Sequence, residues 1–339
     1  MIRIAVDAMG GDNAPGAVVE GCLMALRERA DIAVTLAGPR DKLEPLLEGA
    51  GDAAGRVEIL EAPDVIGMDE APVMAVRRKP NSSMVKALDE VKRGAAQACV
   101  SAGSTGALLA GGMFRVGRIK GIERPALGVV IPSAQKPYIL LDSGANAECR
   151  PEYLVQFALM GSIYMEKVKG YSSPRVGLVN IGAESEKGNE LSKATYPLLE
   201  ASGLNFTGNI EPRDIPAGAA DVVVTDGFTG NVVLKLTEGL AAMLMGMIKT
   251  ELMASPVTKV GAALAKPAFR SVKKRMDYTE EGGAPLLGVK GAVIKAHGSS
   301  NSTAIKNALF QAARMVEGGV AEIIEAQVGA LKAPEKQDT

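Results

Sequence analysis

Histidine, cysteine and tryptophan are scarce in this 339-residue chain, which contains one, three and none of them, respectively. A single histidine excludes a multi-histidine metal site, and three cysteines cannot build a four-cysteine zinc site. Cys22, Cys99 and Cys149 lie far apart without a C-x-x-C pair, which favours a reducing cytosol over a disulfide framework. We therefore expect neither a bound metal nor a cofactor.

Net charge and aromatic content are also low. Lys and Arg number 38 against 39 Asp and Glu, which gives a net charge of −1, and aromatic residues make up 4%. A dedicated nucleic-acid binder would carry a basic excess, and a stacking platform for single strands needs more aromatic rings. We expect no nucleic-acid partner. The 47% hydrophobic content excludes global disorder and permits a large core.

The sequence also lacks a recognisable targeting signal, because Met1 leads directly into the strand-like run 2–7. We therefore expect a cytoplasmic protein. The stretch 94–114 has 21 residues without a charge, which is long enough to span a bilayer. However, it contains five glycines and central Ser and Thr residues. A strand, a loop and a helix of a soluble sheet are the favoured interpretation.

Short β-branched runs alternate with longer helical stretches along most of the chain. This pattern predicts an α/β fold with a doubly wound, mainly parallel sheet in three layers. Strands are expected at 2–7, 33–37, 57–60, 98–101, 127–131, 138–142, 176–181, 222–226 and 292–296. Helices are expected at 16–28, 83–92, 152–167, 190–201, 231–253 and 302–328. No linker divides the chain, so we expect one large domain over residues 1–330 and a polar tail at 331–339.

Residues 255–275 differ from their surroundings, because they contain six basic residues and no acid. Val257, Val260 and Leu264 fall at helical spacing, with Ser255 as a cap and Pro256 as the first helical residue. Pro267 is expected to end or kink this helix. The segment is interpreted as an arm leaving the core.

Six of the predicted strand ends carry glycine together with small polar residues. The loops are 7–15, 101–107, 142–146, 182–189, 225–231 and 297–301. Open parallel sheets bind ligands at the carboxyl ends of their strands, and glycine lets backbone N–H groups approach an anion closely. Neither a G-x-x-x-x-G-K-[ST] motif nor a G-x-G-x-x-G motif after the first strand is present. The pattern therefore predicts an anion site without indicating a nucleotide.

Other candidate residues keep two interpretations. His297 is either a hydrogen-bonded structural residue or part of the site. Asp7, Asp12 and Asp226 either bind a divalent metal or accept backbone N–H bonds, and the second is favoured. The methionines of the long apolar helix indicate core or subunit packing more than contact with an acyl chain; they are Met243, Met245, Met247 and Met253.

Five motifs together resemble the bacterial phosphate acyltransferases of phospholipid synthesis, known as PlsX, over about residues 2–328. They are Asp7-Ala8-Met9-Gly10-Gly11-Asp12, Ser101-Ala102-Gly103-x-Thr105-Gly106-Ala107-Leu108, Asn180-Ile181-Gly182-x-Glu184-x-x-Lys187-Gly188, Asp226-Gly227-Phe228-Thr229-Gly230-Asn231 and Ala296-His297-Gly298. Ser104 stands where the family usually has Asn.

The resemblance implies transfer of a fatty acyl group from the thioester of acyl carrier protein (ACP) to inorganic phosphate. The acyl phosphate product would then feed a glycerol-3-phosphate acyltransferase in phospholipid synthesis. It also implies a homodimer, a fold like that of isocitrate and isopropylmalate dehydrogenases and phosphotransacetylases, and peripheral contact with the inner face of the membrane.

In such a reaction phosphate is the nucleophile, so the enzyme must hold it against the thioester carbonyl and stabilise the oxyanion. We expect Lys187 to pair with phosphate or the developing charge, Asn231 to orient phosphate or donate to the oxyanion, and His297 to orient a donor. The expected phosphate- and substrate-binding residues are Asp7, Gly10, Gly11, Ser104, Thr105, Gly106, Asn146, Glu184, Gly188, Asp226, Thr229, Gly230 and Ser299.

Three interpretations of the basic arm stay open: contact with anionic lipid, docking of the acidic ACP, and a solvated helix at the tip of a dimer. The residues expected to make the membrane or ACP contact are Lys259, Leu264, Lys266, Arg270, Lys273 and Lys274.

Two rival functions of the whole protein also remain, a nicotinamide-dependent dehydrogenase of the related fold and a non-enzymatic phosphate- or acyl-binding protein.

Overall fold

The computed structural model describes residues 1–276 and 281–331, except for the side chains of residues 273–276. Its strands are β1 (Ile2–Asp7), β2 (Ile32–Gly38), β3 (Val57–Glu61), β4 (Ala98–Ser101), β5 (Ala126–Leu127), β6 (Val129–Ile131), β7 (Tyr138–Leu141), β8 (Val176–Val179), β9 (Phe206–Ile210), β10 (Val222–Val224), β11 (Ala284–Leu287) and β12 (Ala292–Lys295). Its helices are α1 (Gly16–Glu28), α2 (Arg40–Leu47), α3 (Pro72–Arg78), α4 (Ser83–Lys92), α5 (Thr105–Gly111), α6 (Pro151–Lys169), α7 (Glu190–Ala201), α8 (Gly227–Leu252), α9 (Pro256–Met276), α10 (Ser302–Glu317) and α11 (Val320–Val328).

The strands divide between two sheets. The larger sheet has the order β3-β2-β1-β4-β12-β11-β5, with β11 antiparallel to both of its neighbours. The smaller sheet has the order β6-β7-β10-β8-β9, with β6 antiparallel to β7. The remaining pairs are parallel. The predicted α/β class with mostly parallel strands is therefore confirmed, although two sheets replace the single expected one.

The chain passes between the sheets at Gly128, where one strand was predicted over 127–131. Gly128 separates β5 from β6 and donates its N–H to the carbonyl of Pro285 at 2.9 Å. A Cβ at this position would lie 2.8 Å from Cδ1 of Ile139. A larger residue would have to displace the Ile139 side chain, and the hydrogen bond to Pro285 joins the edges of the two sheets at this point.

Side chains alternate between two buried clusters on the faces of the larger sheet. Ile4 and Val6 belong to a cluster that includes α1 and α10 and continues through Phe157 of α6 into the smaller sheet. Ala5 faces the opposite cluster, beneath α4 and α5. This alternation follows from the two-residue period of a strand and gives the larger sheet its three layers.

Two helix boundaries differ from the expected ones. The predicted helix 302–328 ends at Glu317 and resumes as α11, because Gly319 adopts a left-handed conformation with φ of 59°. The helix predicted at 231–253 begins at Gly227, because the Asp226 carboxylate accepts the N–H of Thr229 and caps the helix.

The uncharged stretch 94–114 forms β4, a loop, α5 and the start of a π-helical turn, which agrees with the favoured interpretation of a strand, a loop and a helix.

The arm forms as α9, which begins at Pro256 after a Ser255 cap that accepts the N–H of Thr258 at 3.1 Å. The helix continues past Pro267, so of the two expected effects of this proline the ending of the helix does not occur, and a kink stays a prediction. The carbonyl of Ala263, which loses its partner there, belongs to an exposed residue and can be hydrated. The tail residues 332–339 and the side chains of Lys273 and Lys274 lie outside the described residues.

α8 is exposed along most of its length. Met243, Met247 and Met253 are 51%, 58% and 48% exposed, so of the expected core or subunit packing, packing in the core of this chain does not occur and packing against another subunit stays a prediction. Within the described part of the chain, α8 is the helix with the length and apolar composition to cross a bilayer, and these two properties alone are a weak indication. An apolar helix surface this large indicates contact with a further surface.

Candidate functional site

The first loop cluster lies at the carboxyl ends of β1 and β4. The hydroxyl of Ser101 donates to Oδ2 of Asp7 at 2.7 Å, and the N–H of Gly103 donates to the Ser101 hydroxyl at 3.1 Å. A Cβ on Gly10 would lie 2.4 Å from Asp7 Oδ2 and 2.6 Å from the nitrogen of Gly103. The glycine at position 10 therefore lets the two loops touch.

The loop after β1 also interlocks with the loop after β12. The N–H of Asp12 donates to the carbonyl of Gly298 at 2.8 Å, and the Asn13 amide donates to the carbonyl of Ser299 at 3.2 Å. Gly11, at φ of 101°, would carry a Cβ only 2.9 Å from the Gly298 oxygen. Three loops from opposite ends of the sequence thus form one surface.

His297 lies in this surface and contacts Ser299. The backbone N–H of Ser299 donates to His297 Nδ1 at 3.2 Å, and the Ser299 hydroxyl lies 2.8 Å from the same nitrogen. An accepting Nδ1 leaves the proton of the neutral ring on Nε2. Burial, and next the charge of Lys295, lowers the pKa of His297 below its ordinary value of 6.5. The ring is therefore neutral at pH 7, which suits the orienting function predicted for it.

The start of α5 supplies the next candidate donors. The hydroxyl of Ser104 accepts the N–H of Ala107 at 3.4 Å, and it therefore caps the helix. The N–H groups of Thr105 and Gly106 belong to the first turn, where a helix cannot satisfy its own donors. A Cβ on Gly106 would lie 2.6 Å from Cγ of Pro72. Packing against α3 therefore accounts for this glycine, independently of any ligand.

The second loop cluster centres on Asp142, which sequence reasoning missed as a candidate. Its Oδ1 accepts the N–H groups of Leu127, Gly144 and Ala145, and its Oδ2 accepts the N–H and the side-chain amide of Asn146. Burial raises the pKa of Asp142, and the Asn146 amide opposes that effect. Its position directly after the buried strand β7 was the signal available in the sequence. Asn146 thus helps to shape the loop.

The same cluster contains the start of α8. Asp226 accepts both the N–H and the hydroxyl of Thr229 at 2.8 Å, so these two predicted ligand residues satisfy each other. A Cβ on Gly230 would lie 1.9 Å from the Asp142 carbonyl oxygen. Asn231 is exposed, with its side chain near Gly144. The loops after β7 and β10 therefore converge, and the exposed side chain of Asn231 lies where they meet.

Lys187 lies in a third loop, after β8. Its N–H donates to the Glu184 carbonyl at 3.2 Å, and its own carbonyl accepts the side chain of Asn180 at 2.9 Å. Asn209 donates to the carbonyl of Glu184 at 2.8 Å. Asn180 and Asn209 were not predicted as site residues. A Cβ on Gly188 would lie 2.2 Å from Oδ1 of Asn180, so this glycine lets the loop fold back on itself.

The Lys187 side chain is exposed, and its ammonium takes part in none of the ion pairs formed within residues 1–276 and 281–331. It is therefore a cation fixed by its backbone and open to an anionic ligand. The second and third loops lie at one sheet edge because β7, β10 and β8 are adjacent and parallel. The charges of Lys235 and Glu238 in α8 also act on His297 of the first cluster.

Two of the three acidic candidates for a metal, Asp7 and Asp226, have other partners. Asp7 accepts the Ser101 hydroxyl, and Asp226 caps α8. In the described part of the chain, no three His, Cys, Asp or Glu side chains gather as a metal site would require.

Burial raises the pKa of Asp7, and it raises the pKa of Cys149 to about 12. A half-buried thiol with that pKa is a poor nucleophile.

The whole chain is similar in sequence to known proteins. The family model described as "Fatty acid synthesis protein" matches residues 2–323. The chain is 54% identical over 328 residues to a phosphate acyltransferase of Clostridium botulinum strain Loch Maree, which covers 97% of this chain and 98% of that protein. It is 52% identical over 324 residues to a phosphate acyltransferase of Lysinibacillus sphaericus, covering 95% and 97%.

The fold is similar to that of solved phosphotransacetylases. The Streptococcus pyogenes protein has a TM-score of 0.61 at 18% identity, and the alignment covers 93% of this chain and 94% of that one. The EutD phosphotransacetylase of Staphylococcus aureus has a TM-score of 0.61 at 15% identity with the same coverage. Because the identity is low, the likeness concerns the fold alone, and it agrees with the predicted phosphotransacetylase-like architecture.

Proposed function

This chain belongs to the phosphate acyltransferase family and is an acyltransferase, and we propose that it transfers a fatty acyl group from the thioester of ACP to inorganic phosphate. The products are an acyl phosphate and free ACP, and a glycerol-3-phosphate acyltransferase consumes the acyl phosphate in phospholipid synthesis. The observation that carries the proposal is the interlocking of the glycine loops after β1, β4 and β12.

The reaction needs no acylated side chain. A phosphate oxygen attacks the thioester carbonyl, the tetrahedral oxyanion collapses, and the carrier thiolate leaves with the electron pair of the C–S bond. Because a thiolate is a good leaving group, catalysis consists mainly of positioning and charge stabilisation. Burial raises the pKa of Cys22 and Cys99 far above the ordinary value, in keeping with this assignment.

Four groups carry the chemistry in this proposal. Lys187 pairs with phosphate or with the developing oxyanion, because its exposed ammonium sits on a loop pinned by Asn180. Asn231 donates to phosphate or to the oxyanion from near the start of α8. His297 orients a donor through its neutral ring, and the α5 start contributes the N–H groups of Thr105 and Gly106.

Hydroxylamine trapping tests the reaction directly. The protein, ACP carrying a palmitoyl thioester and inorganic phosphate should yield a hydroxamate that depends on phosphate. Lys187→Ala should lower turnover at least 100-fold with an unchanged melting temperature, because the side chain is exposed. Lys193→Ala, an exposed lysine of α7, is the matched control and should stay near wild type. Hydroxylamine also attacks the thioester itself, so a reaction without protein gives the background. Protein-dependent hydroxamate above that background that needs no phosphate, or an acylated protein that turns over, would exclude this mechanism.

We also propose that α9 lies on an anionic membrane surface. Val257, Val260 and Leu264 are 81%, 64% and 80% exposed. At about 100° per residue, Lys259 and Lys266 fall roughly opposite that apolar stripe. Ala262 is buried and Phe269 half-buried, and these two line a groove of about 410 Å³ with α8, so the apolar stripe faces elsewhere. A helix with these two faces suits the lipid interface.

Vesicle co-sedimentation separates the interpretations of the arm. Leu264→Glu should abolish binding to phosphatidylglycerol vesicles and leave acyl transfer in detergent intact. Charge reversal at Lys266, Lys273 and Lys274 should weaken binding to anionic vesicles in low salt. Reversed charges that leave vesicle binding unchanged but raise the KM for acyl-ACP would instead assign these lysines to carrier docking.

We propose further that residues 1–330 act as one acyltransferase domain and that α8 covers its apolar surface by pairing with a second copy. The shared core of the two sheets supports the first statement, and the exposure of Leu240, Leu244 and Met247 supports the second. Leu240→Glu with Leu244→Glu should shift the mass measured by sedimentation from dimer towards monomer. An unchanged mass would assign α8 to another partner.

A further inference from the structure

Three adjacent strands of the larger sheet end in buried polar side chains on the same face. Asp7, Ser101 and Lys295 end β1, β4 and β12, and Ser101 is in register with both of the others. They are 2%, 1% and 7% exposed. The residues two positions earlier all belong to the cluster beneath α4, and they are Ala5, Cys99 and Val293. The three polar side chains therefore form a row under the loops of the candidate site.

Lys295 connects two of those loops. Its Nζ donates to the carbonyl of Ala102 at 3.4 Å and to the carbonyl of Ala296. These carbonyls open the loops after β4 and β12. Because the C=O and N–H of a trans peptide point in opposite directions, holding both carbonyls turns the N–H groups of Gly103 and His297 away from the ammonium, and that of Gly103 then meets the Ser101 hydroxyl. One side chain thus sets the orientation of two loop-opening peptides.

The ammonium of Lys295 makes hydrogen bonds, but among the described residues it has no counter-ion in direct contact. Within the described residues no carboxylate lies within 4.0 Å of Nζ, and Asp7 and Asp12 act on it from farther away. Carbonyl acceptors also leave one of the three ammonium protons without a partner there. A buried cation without a paired anion is costly. An anion bound at these strand ends would supply the missing counter-charge.

We propose that Lys295 is a positioning residue of the phosphate site, which holds the loops after β4 and β12 in their binding geometry and receives its counter-charge from bound phosphate. The inference rests on the proposed function, since phosphate is taken as the anion. Sequence reasoning passed over this lysine because it ends an otherwise apolar strand.

Burial lowers the pKa of Lys295 to about 8, while Asp7 and Asp12 oppose the effect. The ammonium is therefore present below pH 8 and is lost above it, so the KM for phosphate should rise as the pH passes about 8. The other titratable or charged side chains on the elements packed around it are Cys99, His297, Lys86 and Lys92, Arg314, Asp89 paired with Arg115, Glu90 paired with Arg93, Lys306 paired with Glu28, and Glu317 paired with Arg29.

Steady-state kinetics from pH 6.5 to 9.5 test the inference, with palmitoyl-ACP and inorganic phosphate as substrates. At pH 7, Lys295→Met should raise the KM for phosphate at least tenfold and leave the KM for palmitoyl-ACP within twofold. It should also remove the inflection near pH 8. Lys295→Arg keeps the charge and should hold the phosphate KM low at pH 9. Comparing the profiles cancels the titration of phosphate itself.

A folded Lys295→Met protein with the wild-type phosphate KM and pH profile would overturn the proposal. If both variants fail to fold, calorimetry on the wild type decides: phosphate binding at pH 8.5, measured in two buffers of different ionisation enthalpy, should take up a proton, and so should the non-titrating anion sulfate. Absence of proton uptake with both anions would overturn it. Wild-type protein that forms no acyl phosphate would contradict the proposed function instead.

Discussion

Asp142 is the residue at which the hydrogen-bond geometry predicts the largest effect from the smallest change. In Asp142→Asn the side chain keeps its shape but presents one oxygen instead of two. With the oxygen at the Oδ1 position, the three N–H groups of Leu127, Gly144 and Ala145 keep their acceptor. The new NH₂ group then faces the two donors of Asn146. In the flipped orientation the NH₂ group faces the three N–H donors of Leu127, Gly144 and Ala145, which leaves more donors without an acceptor.

A fully buried donor left without an acceptor costs about 1–3 kcal/mol, and the two donors of Asn146 are only half-buried, so together they should destabilise the fold by about 1–3 kcal/mol. That is an appreciable part of the roughly 5–15 kcal/mol by which native proteins are stable. Asp226→Asn is the matched control. Asparagine caps a helix as well as aspartate does, and the Thr229 hydroxyl can rotate to accept from the new amide, so the expected change is only a few tenths of a kcal/mol.

Urea unfolding followed by far-ultraviolet circular dichroism measures both variants, which suits a chain without tryptophan. Asp142→Asn should unfold at clearly lower urea than Asp226→Asn and wild type. It should also lose acyl transfer, because the Asp142 loop contacts Gly227 and Gly230 beside Asn231. Equal unfolding midpoints for the two variants would refute the assignment of Asp142 as the acceptor that organises this loop.

Three further substitutions probe other parts of the molecule. Gly230→Ala should destabilise the protein, because its Cβ would lie 1.9 Å from the Asp142 oxygen, whereas Gly239→Ala in the open part of α8 should stabilise it by about 0.5–1 kcal/mol; thermal melts that rank them the other way contradict the packing. His297→Asn should remove any acid limb of the activity profile, which should lie below pH 6.5 in wild type because burial lowers the pKa of this ring. Pro72→Ala should leave activity within a few-fold if Gly106 serves packing, and a phosphate KM changed tenfold would assign this contact to the site instead.

The sequence predicted the fold class well because buried parallel strands leave a strong apolar pattern. The boundaries 2–7, 83–92 and 190–201 agree with β1, α4 and α7. It could not predict the division into two sheets, since the run 127–131 is apolar throughout and the hydrogen bond from Gly128 to Pro285 is a tertiary contact. It also passed over β9 and β11, and it joined α10 to α11 across Gly319, whose left-handed conformation has no periodic signal.

The candidate site shows the same limit. Glycine and polar residues after the strands marked the loops, so most candidate residues could be predicted from the sequence. The partner of each residue could not be predicted, because the same pattern around Asp226 fits a ligand contact and a helix cap. Asp142 opens one of the predicted loops and Lys295 ends an apolar strand, but neither was singled out, because most of their polar contacts are made with backbone groups that carry no sequence signature.

The position of β12 between β4 and β11 has a consequence for synthesis on the ribosome. Strand β4 pairs with β1 on one side, but its other edge waits for residues 292–295, about 190 residues later. Until those residues emerge, the nascent chain presents an unpaired edge in the middle of its future sheet, which is a site for misassociation. The chain is therefore expected to depend on chaperones during translation more than its final packing suggests, and truncation before residue 292 should yield aggregates.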